Sequence, residues 1–259
     1  MNSSTSRWCA RWALTPDGAE FETASAWLRP VRHRGRACML KCPKPHSDEQ
    51  RSAEVLMAWG GPPAARILLR AGPVHVVERA DPGTPLEERD PEAHRVLAAT
   101  LAELHGRGGA VAGLQDLRTR FASLWTVEAQ DPRLMRAAET ARRLLAEPAE
   151  MHLLHGDYHH GNLLRDRHGW TLIDPKGVMG PRAYDAANAL CNPVDDTPTA
   201  AQPDRLRSLS QAFSETMKEP ADRLLAHALA HAGLSASWTM RAGGDPRHMF
   251  AMIEALGRL

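Results

Sequence analysis

Asp157, Asn162 and Asp174 have types and spacing that suit a shared chemistry, in the runs Leu154-His155-Gly156-Asp157-Tyr158-His159-His160-Gly161-Asn162 and Ile173-Asp174-Pro175-Lys176-Gly177. D-x-x-x-x-N followed by a later Asp is a phosphoryl-transfer arrangement: the first Asp orients a hydroxyl nucleophile, the Asn holds Mg²⁺, and the second Asp bridges that ion to phosphates. Oxygen-only ligands suit Mg²⁺, which prefers a few carboxylates together with phosphate and water. Lys41, far upstream in Ala37-Cys38-Met39-Leu40-Lys41, then gains a purpose. Its ammonium can neutralise the α/β-phosphates of a nucleotide, steadied by a helix carboxylate.

Several elements must position these groups. Ser25–Arg29 and Ala37–Lys41 are short extended runs around the polar turn His33-Arg34-Gly35-Arg36, so a hairpin is expected. Alternation places Ala37, Met39 and Lys41 on one face and Cys38, Leu40 and Cys42 on the other. Ser47 with Gln50 reads as a capping box opening a helix through Ala53, Leu56 and Met57, which Gly60-Gly61-Pro62-Pro63 ends. Strands are expected at 65–69 and 74–79, and the turn-rich Asp81-Pro82-Gly83-Thr84-Pro85 reads as a linker. Beyond it the period turns helical, with Asp90-Pro91 and Asp131-Pro132 as helix starts and three helical segments from Asp204 onward. The turn Asp166-Arg167-His168-Gly169 folds the two polar clusters into a hairpin that brings Asp157, Asn162 and Asp174 to one end.

Composition narrows the classes. The 259 residues carry 32 Lys+Arg against 31 Asp+Glu, a net charge of +1 without long single-sign runs, so nucleic acid is not an expected partner. No apolar run is long enough for a membrane span or a secretory signal, so a cytoplasmic protein without a membrane partner is expected. Cys9, Cys38, Cys42 and Cys191 form no C-x-x-C pair and read as buried thiols.

The two polar runs, together with Val77-Glu78-Arg79, Pro82-Gly83-Thr84-Pro85-Leu86, Tyr184-Asp185 and Cys191-Asn192-Pro193, give the sequence a family likeness. From about Ser25 to Asn192 it resembles the aminoglycoside phosphotransferases of the protein-kinase-like fold, and among them the streptomycin 6-kinase and hydroxyurea-resistance kinase group. The resemblance implies an α+β, bilobal fold: a β-rich nucleotide-binding lobe over 1–80, a hinge at 81–87 and a helical lobe over 88–259. It implies ATP in the cleft, with adenine on hinge backbone near Glu78 and Ala80, and Mg²⁺ on Asn162 and Asp174. Asp157 would be the catalytic base and Asp185 a carboxylate that steadies the catalytic-loop backbone. Gly156 stands where protein kinases carry Arg, which favours a small-molecule acceptor over a protein. No G-x-G-x-x-G occurs near the N-terminus, so the phosphate-covering turn is placed at Glu22-Thr23-Ala24-Ser25. Family position makes Glu54 the partner of Lys41, whereas the helical wheel puts Glu49 nearer the apolar face.

Other readings compete with phosphoryl transfer. His155, Asp157, His159 and His160 resemble a binuclear zinc hydrolase run, but that chemistry leaves Asn162, Asp174 and Lys41 unexplained. His155 is expected to make structural hydrogen bonds beneath the loop, with His159 and His160 shaping its rim. His227 and His231, spaced i and i+4, read as surface or packing residues, and Trp238 and Arg241 either line a substrate pocket or pack. Asp195 and Asp196 either bind a cationic acceptor such as streptomycin or sit in a solvated loop. A smaller acceptor such as hydroxyurea would not need them. A nucleotide-binding regulator without transfer is the alternative from another class, motivated by the missing glycine motif.

Overall fold

A computed structural model describes residues 4–259 of the chain. β-Branched, apolar and small residues near the N-terminus build a six-stranded antiparallel sheet. Its centre is the hairpin Ala26–His33 and Arg36–Pro43, closed at Arg34-Gly35, with Val74–Glu78 and Ile67–Ala71 beyond the second strand. Cys38, Leu40 and Cys42 point into a small core with Val31, Val74 and Val76, as alternation requires. Lys41, on the opposite face, pairs in register with Leu28 and His75 and is itself 2% exposed. All four cysteines are buried free thiols.

The following helix departs from the expected start. It runs Ser52–Trp59, five residues after Ser47, because Ser47 and Gln50 are spent elsewhere. The Ser47 hydroxyl accepts the Glu49 N–H at 3.2 Å and the Gln50 amide donates to the Lys44 carbonyl at 2.6 Å, which holds 47–51 as a turn. The helix lies between the two sides: it packs beside the strand Ile67–Ala71 of the sheet, while Val55, Leu56 and Trp59 belong to the core of the helical lobe. Arg51, at its N-terminus, donates to the carbonyls of Ala112 at 2.9 Å and Gly113 at 3.4 Å. Gly177 completes the fit, since a Cβ there would stand 2.5 Å from the Val55 methyl.

Residues 82–85, read from sequence as linker, form the strand Pro82–Pro85, which pairs with Leu163–Asp166. Leu163–Asp166 turns directly into Gly169–Leu172 with Asp166 opposite Gly169, the expected hairpin. A third small sheet joins Gln115–Asp116, Val178–Gly180 and His152–Leu154. Around these pack the helices Ala93–Gly106, Pro132–Ala146, Ala183–Leu190, Pro203–Met217, Ala221–Arg241 and Arg247–Leu256. Asp131 caps its helix through the Arg133 N–H, with Pro132 in the first turn. Asp90 instead accepts the Glu92 N–H, and its helix begins at Ala93. Among the described residues, no helix is long and apolar enough to cross a membrane.

Candidate active site

The cleft between the sheet and the helices gathers the residues singled out by spacing. Asp157 follows the strand His152–Leu154, Asn162 ends a short turn of 3-10 helix, and Asp174 follows Gly169–Leu172. The Asn162 amide donates to the Asp157 carbonyl at 2.9 Å, and the Ile173 N–H donates to the Asn162 carbonyl at 3.0 Å, so one polar loop carries all three. Asp174 takes a left-handed backbone (φ 60°), sparsely used by residues other than Gly or Asn, as its carboxylate meets Lys41.

Beneath the loop lies Asp185, buried on its helix. Its carboxylate accepts the backbone N–H groups of His155 and Gly156, each at 2.7 Å, and Nε2–H of His105 at 2.9 Å. Burial works against its charge, but these donors and His105 hold the carboxyl below its usual range. His155 is neutral, since burial lowers its pKa; its Nδ1 accepts the Asp157 N–H and its Nε2–H donates to the Ile173 carbonyl at 2.8 Å. Gly156 is obligatory at its place, with φ +77° and a would-be Cβ only 2.9 Å from Val178.

An unbroken chain of charges crosses the cleft. Lys41 Nζ lies 2.5 Å from Asp174 Oδ1 and 2.6 Å from Glu49 Oε2. Glu49 Oε1 accepts from Lys176 Nζ at 2.5 Å, and Lys176 in turn lies 3.3 Å from Asp157 Oδ2. Burial alone would raise the Glu49 pKa, yet the two ammoniums overcome it and hold the carboxyl at about 2. The same carboxylates raise Lys176 against its desolvation.

Beside Lys176 opens a cavity of about 560 Å³, walled by Ser25, Asp48, Gln115, Arg120 and Trp238. A second, of about 510 Å³, shares Gln115, Arg120 and Trp238 and extends to Arg241. The Thr23–Ser25 turn, between strands Phe21–Glu22 and Ala26–His33, borders the first.

The sequence profile of the aminoglycoside/hydroxyurea antibiotic resistance kinase family matches residues 11–243. The chain belongs to that family. It is thereby an enzyme of the phosphotransferase class. The chain is 40% identical to the streptomycin 3''-kinase of Klebsiella pneumoniae over 90% of its own length and 91% of that protein's. It is 32% identical to the streptomycin 6-kinase of Streptomyces griseus over 70% of its length and 63% of that relative's. Among solved structures, an aminoglycoside phosphotransferase in ternary complex with AMP-PNP and hygromycin B superposes with a TM-score of 0.69 at 17% identity, covering 99% and 98% of the two chains. A choline/ethanolamine kinase family protein from Mesorhizobium loti gives 0.71 at 14% identity, covering 98% and 95%. These likenesses show the protein-kinase-like fold.

Against this family frame the geometry corrects several expectations. Lys41 pairs with Glu49 and not Glu54, because the late helix start leaves Glu49 in a turn facing the sheet. Glu54, in the first helical turn, meets Arg51 and Arg70, each at 2.5 Å. Asp196 is occupied as a helix cap for Thr199 and Asp195 is exposed, and neither lines either cavity, whereas Trp238 and Arg241 do. Glu78 ends its strand with its N–H on the Arg66 carbonyl, and Ala80 follows it half-buried at the junction of the sheets. Of the two readings of His227 and His231, packing is the one found: they are 2% and 4% exposed on the inner face of Ala221–Arg241. Among the described residues, no group of three or more His, Cys, Asp or Glu side chains is arranged to hold a metal ion.

Sequence reasoning gave no role to Lys176 or Asn188. Lys176 was visible inside D-P-K-G, and only its distance to Asp157 reveals its place. Asn188 donates from Nδ2 to Asp157 Oδ1 at 2.7 Å, and no motif announces it.

Proposed function

We propose that this kinase transfers the γ-phosphoryl group of ATP to a hydroxyl of a small antibiotic-like acceptor, with streptomycin-type aminoglycosides first and hydroxyurea second. The observation that carries the reading is the continuous run Asp157–Lys176–Glu49–Lys41–Asp174, which brings a base, a metal-ligand carboxylate and a phosphate-binding ammonium into one cleft. Asn162, its amide nitrogen turned to Asp157, leaves its carbonyl oxygen to pair with Asp174 as an all-oxygen set, which fits Mg²⁺. When bound, Mg²⁺ supplies charge neutralisation at the phosphates.

The chain's own groups do the rest. Lys41 holds phosphate oxygens, the Thr23–Ser25 turn covers them, and the hinge near Glu78 and Ala80 carries the adenine. Asp157 accepts the proton of the acceptor hydroxyl as its oxygen attacks, while the cavity walled by Trp238 and Asp48 holds the acceptor and limits water. Streptomycin ranks first because the relative named for it is similar along 90% of this chain, and hydroxyurea follows because a hydroxyurea phosphotransferase is also among the relatives.

The test is incubation of purified protein with ATP, Mg²⁺ and, in turn, streptomycin, other aminoglycosides and hydroxyurea, read by mass spectrometry for a gain of one phosphoryl group. ADP release that no acceptor stimulates would favour a nucleotide-binding regulator. Asp157→Asn should lower kcat by at least about a hundredfold while nucleotide binding stays measurable. Retained turnover in that variant would remove Asp157 from the role.

A further inference from the structure

Asp157 offers two oxygens, and only one can face the acceptor. Oδ1 accepts from Asn188 Nδ2 at 2.7 Å, the shortest contact either oxygen makes, while Oδ2 faces Lys176 at 3.3 Å and Asn162 Nδ2 at 3.5 Å. The choice of oxygen therefore depends on what fixes Asn188. Its amide oxygen accepts from Asn192 Nδ2 at 3.1 Å and lies 3.1 Å from His231 Nε2. That oxygen can only accept, so His231 carries its proton on Nε2, and its Nδ1 then accepts from the Tyr184 hydroxyl at 3.2 Å. His231 is buried, and that burial, with Arg120 adding to it, lowers its pKa to about 4; the ring is neutral and has one proton to place. Donor and acceptor are thus assigned at every link from Tyr184 to Asp157, with Tyr184, His231, Asn188 and Asn192 all buried.

We propose that Asn188, oriented by His231 and Asn192, is the positioning residue that holds Oδ1 of Asp157 and so presents Oδ2 to the acceptor hydroxyl. The proposal rests on the reading of Asp157 as the base. It also gives a purpose to Asn192 in Cys191-Asn192-Pro193 and to His231, which the phosphoryl-transfer motif leaves unused. A reacting oxygen misplaced by about 1 Å can lose on the order of a hundredfold in rate, so a neutral network remote from the phosphates can govern turnover.

Steady-state kinetics and calorimetric Mg·ATP binding of Asn188→Leu, His231→Leu, His231→Gln and Asp157→Asn decide it, with thermal melting as a control for folding. Gln at 231 can place an amide N–H where Nε2–H lies, and Leu cannot. Asn188→Leu should lower kcat at least about tenfold with the Mg·ATP Kd within about twofold of the parent. His231→Leu should lose rate in the same sense, and His231→Gln should recover most of it. The proposal falls if Asn188→Leu keeps the parental kcat while Asp157→Asn is inactive, or if His231→Gln is as impaired as His231→Leu. Should Asn188→Leu not fold, the His231 pair alone decides. Turnover retained by Asp157→Asn would instead overturn the reading of the base, and this proposal with it.

Discussion

Lys41 and Asp157 face each other across one cleft and are held by opposite means. Charge holds Lys41, through Glu49 and Asp174, carboxylates that both lie within 2.6 Å. Directional hydrogen bonds hold Asp157: the Asn188 amide sits closest, and its own N–H is pinned on His155. An ammonium between carboxylates can exchange one partner for a phosphate oxygen without being left buried and unpaired. Asp157 has a neutral amide on Oδ1 and the Lys176 ammonium 3.3 Å from Oδ2, so direction is set on one oxygen and charge is balanced at the other. On the proposed function, the sheet side would suit exchange of partners and the helical side aim.

The largest effect should come from removing the support of the helical side. Asp185→Ala leaves the N–H groups of His155 and Gly156 and the His105 ring without an acceptor in a fully buried place. Stability should fall by about 3 kcal/mol or more, and melting by roughly 6 °C or more. A shift under about 2 °C would show that the loop is held otherwise.

Acid is the next lever. Burial holds His227 at about 3, well below the ~6.5 of an unfolded chain. Between those values the unfolded state binds the extra proton, so stability is complete above about pH 6.5 and is lost as pH falls. His227→Gln should remove roughly 2 kcal/mol of the loss between pH 6.5 and 5, read as a flatter plot of melting temperature against pH. An unchanged slope would exclude His227 as a source.

Smaller changes separate the two candidate partners of Lys41. Glu49→Gln leaves Lys41 and Lys176 without the carboxylate between them, and Mg·ATP affinity should fall about tenfold by calorimetry. Glu54→Gln, at a half-exposed pair with Arg51 and Arg70, should change the same affinity by less than about twofold. Reversed magnitudes would return the role to Glu54.

What could be read from sequence followed the range of the interaction. Asp157, Asn162 and Asp174 share one loop and hairpin, so spacing alone implied their convergence. Asp131-Pro132 marked its helix correctly because a cap is a local hydrogen bond. Ser47 and Gln50 misled for the same reason: the capping pattern is local, but both side chains found other backbone partners, which moved the helix start and with it Glu49. The linker at 81–85 became a strand because Leu163–Asp166 lies beside it. The contact of Asn188 with His231 was silent, since only the packing of Ala183–Leu190 against Ala221–Arg241 makes them neighbours, and nothing in either segment records the other.

The helix Ser52–Trp59 bears on how the cleft meets its substrates. It is fixed to the helical lobe by Val55, Leu56, Trp59, Arg51 and the bare Gly177, and to the sheet through Glu54 on Arg70. A two-lobed enzyme whose halves move independently surrenders rotational and translational freedom each time it closes on a ligand. Here the turn that carries Glu49 is docked when the chain folds, and that entropy is lost once rather than at every turnover. On the proposed function, binding energy from the nucleotide would orient the transferred group instead of assembling the walls around it.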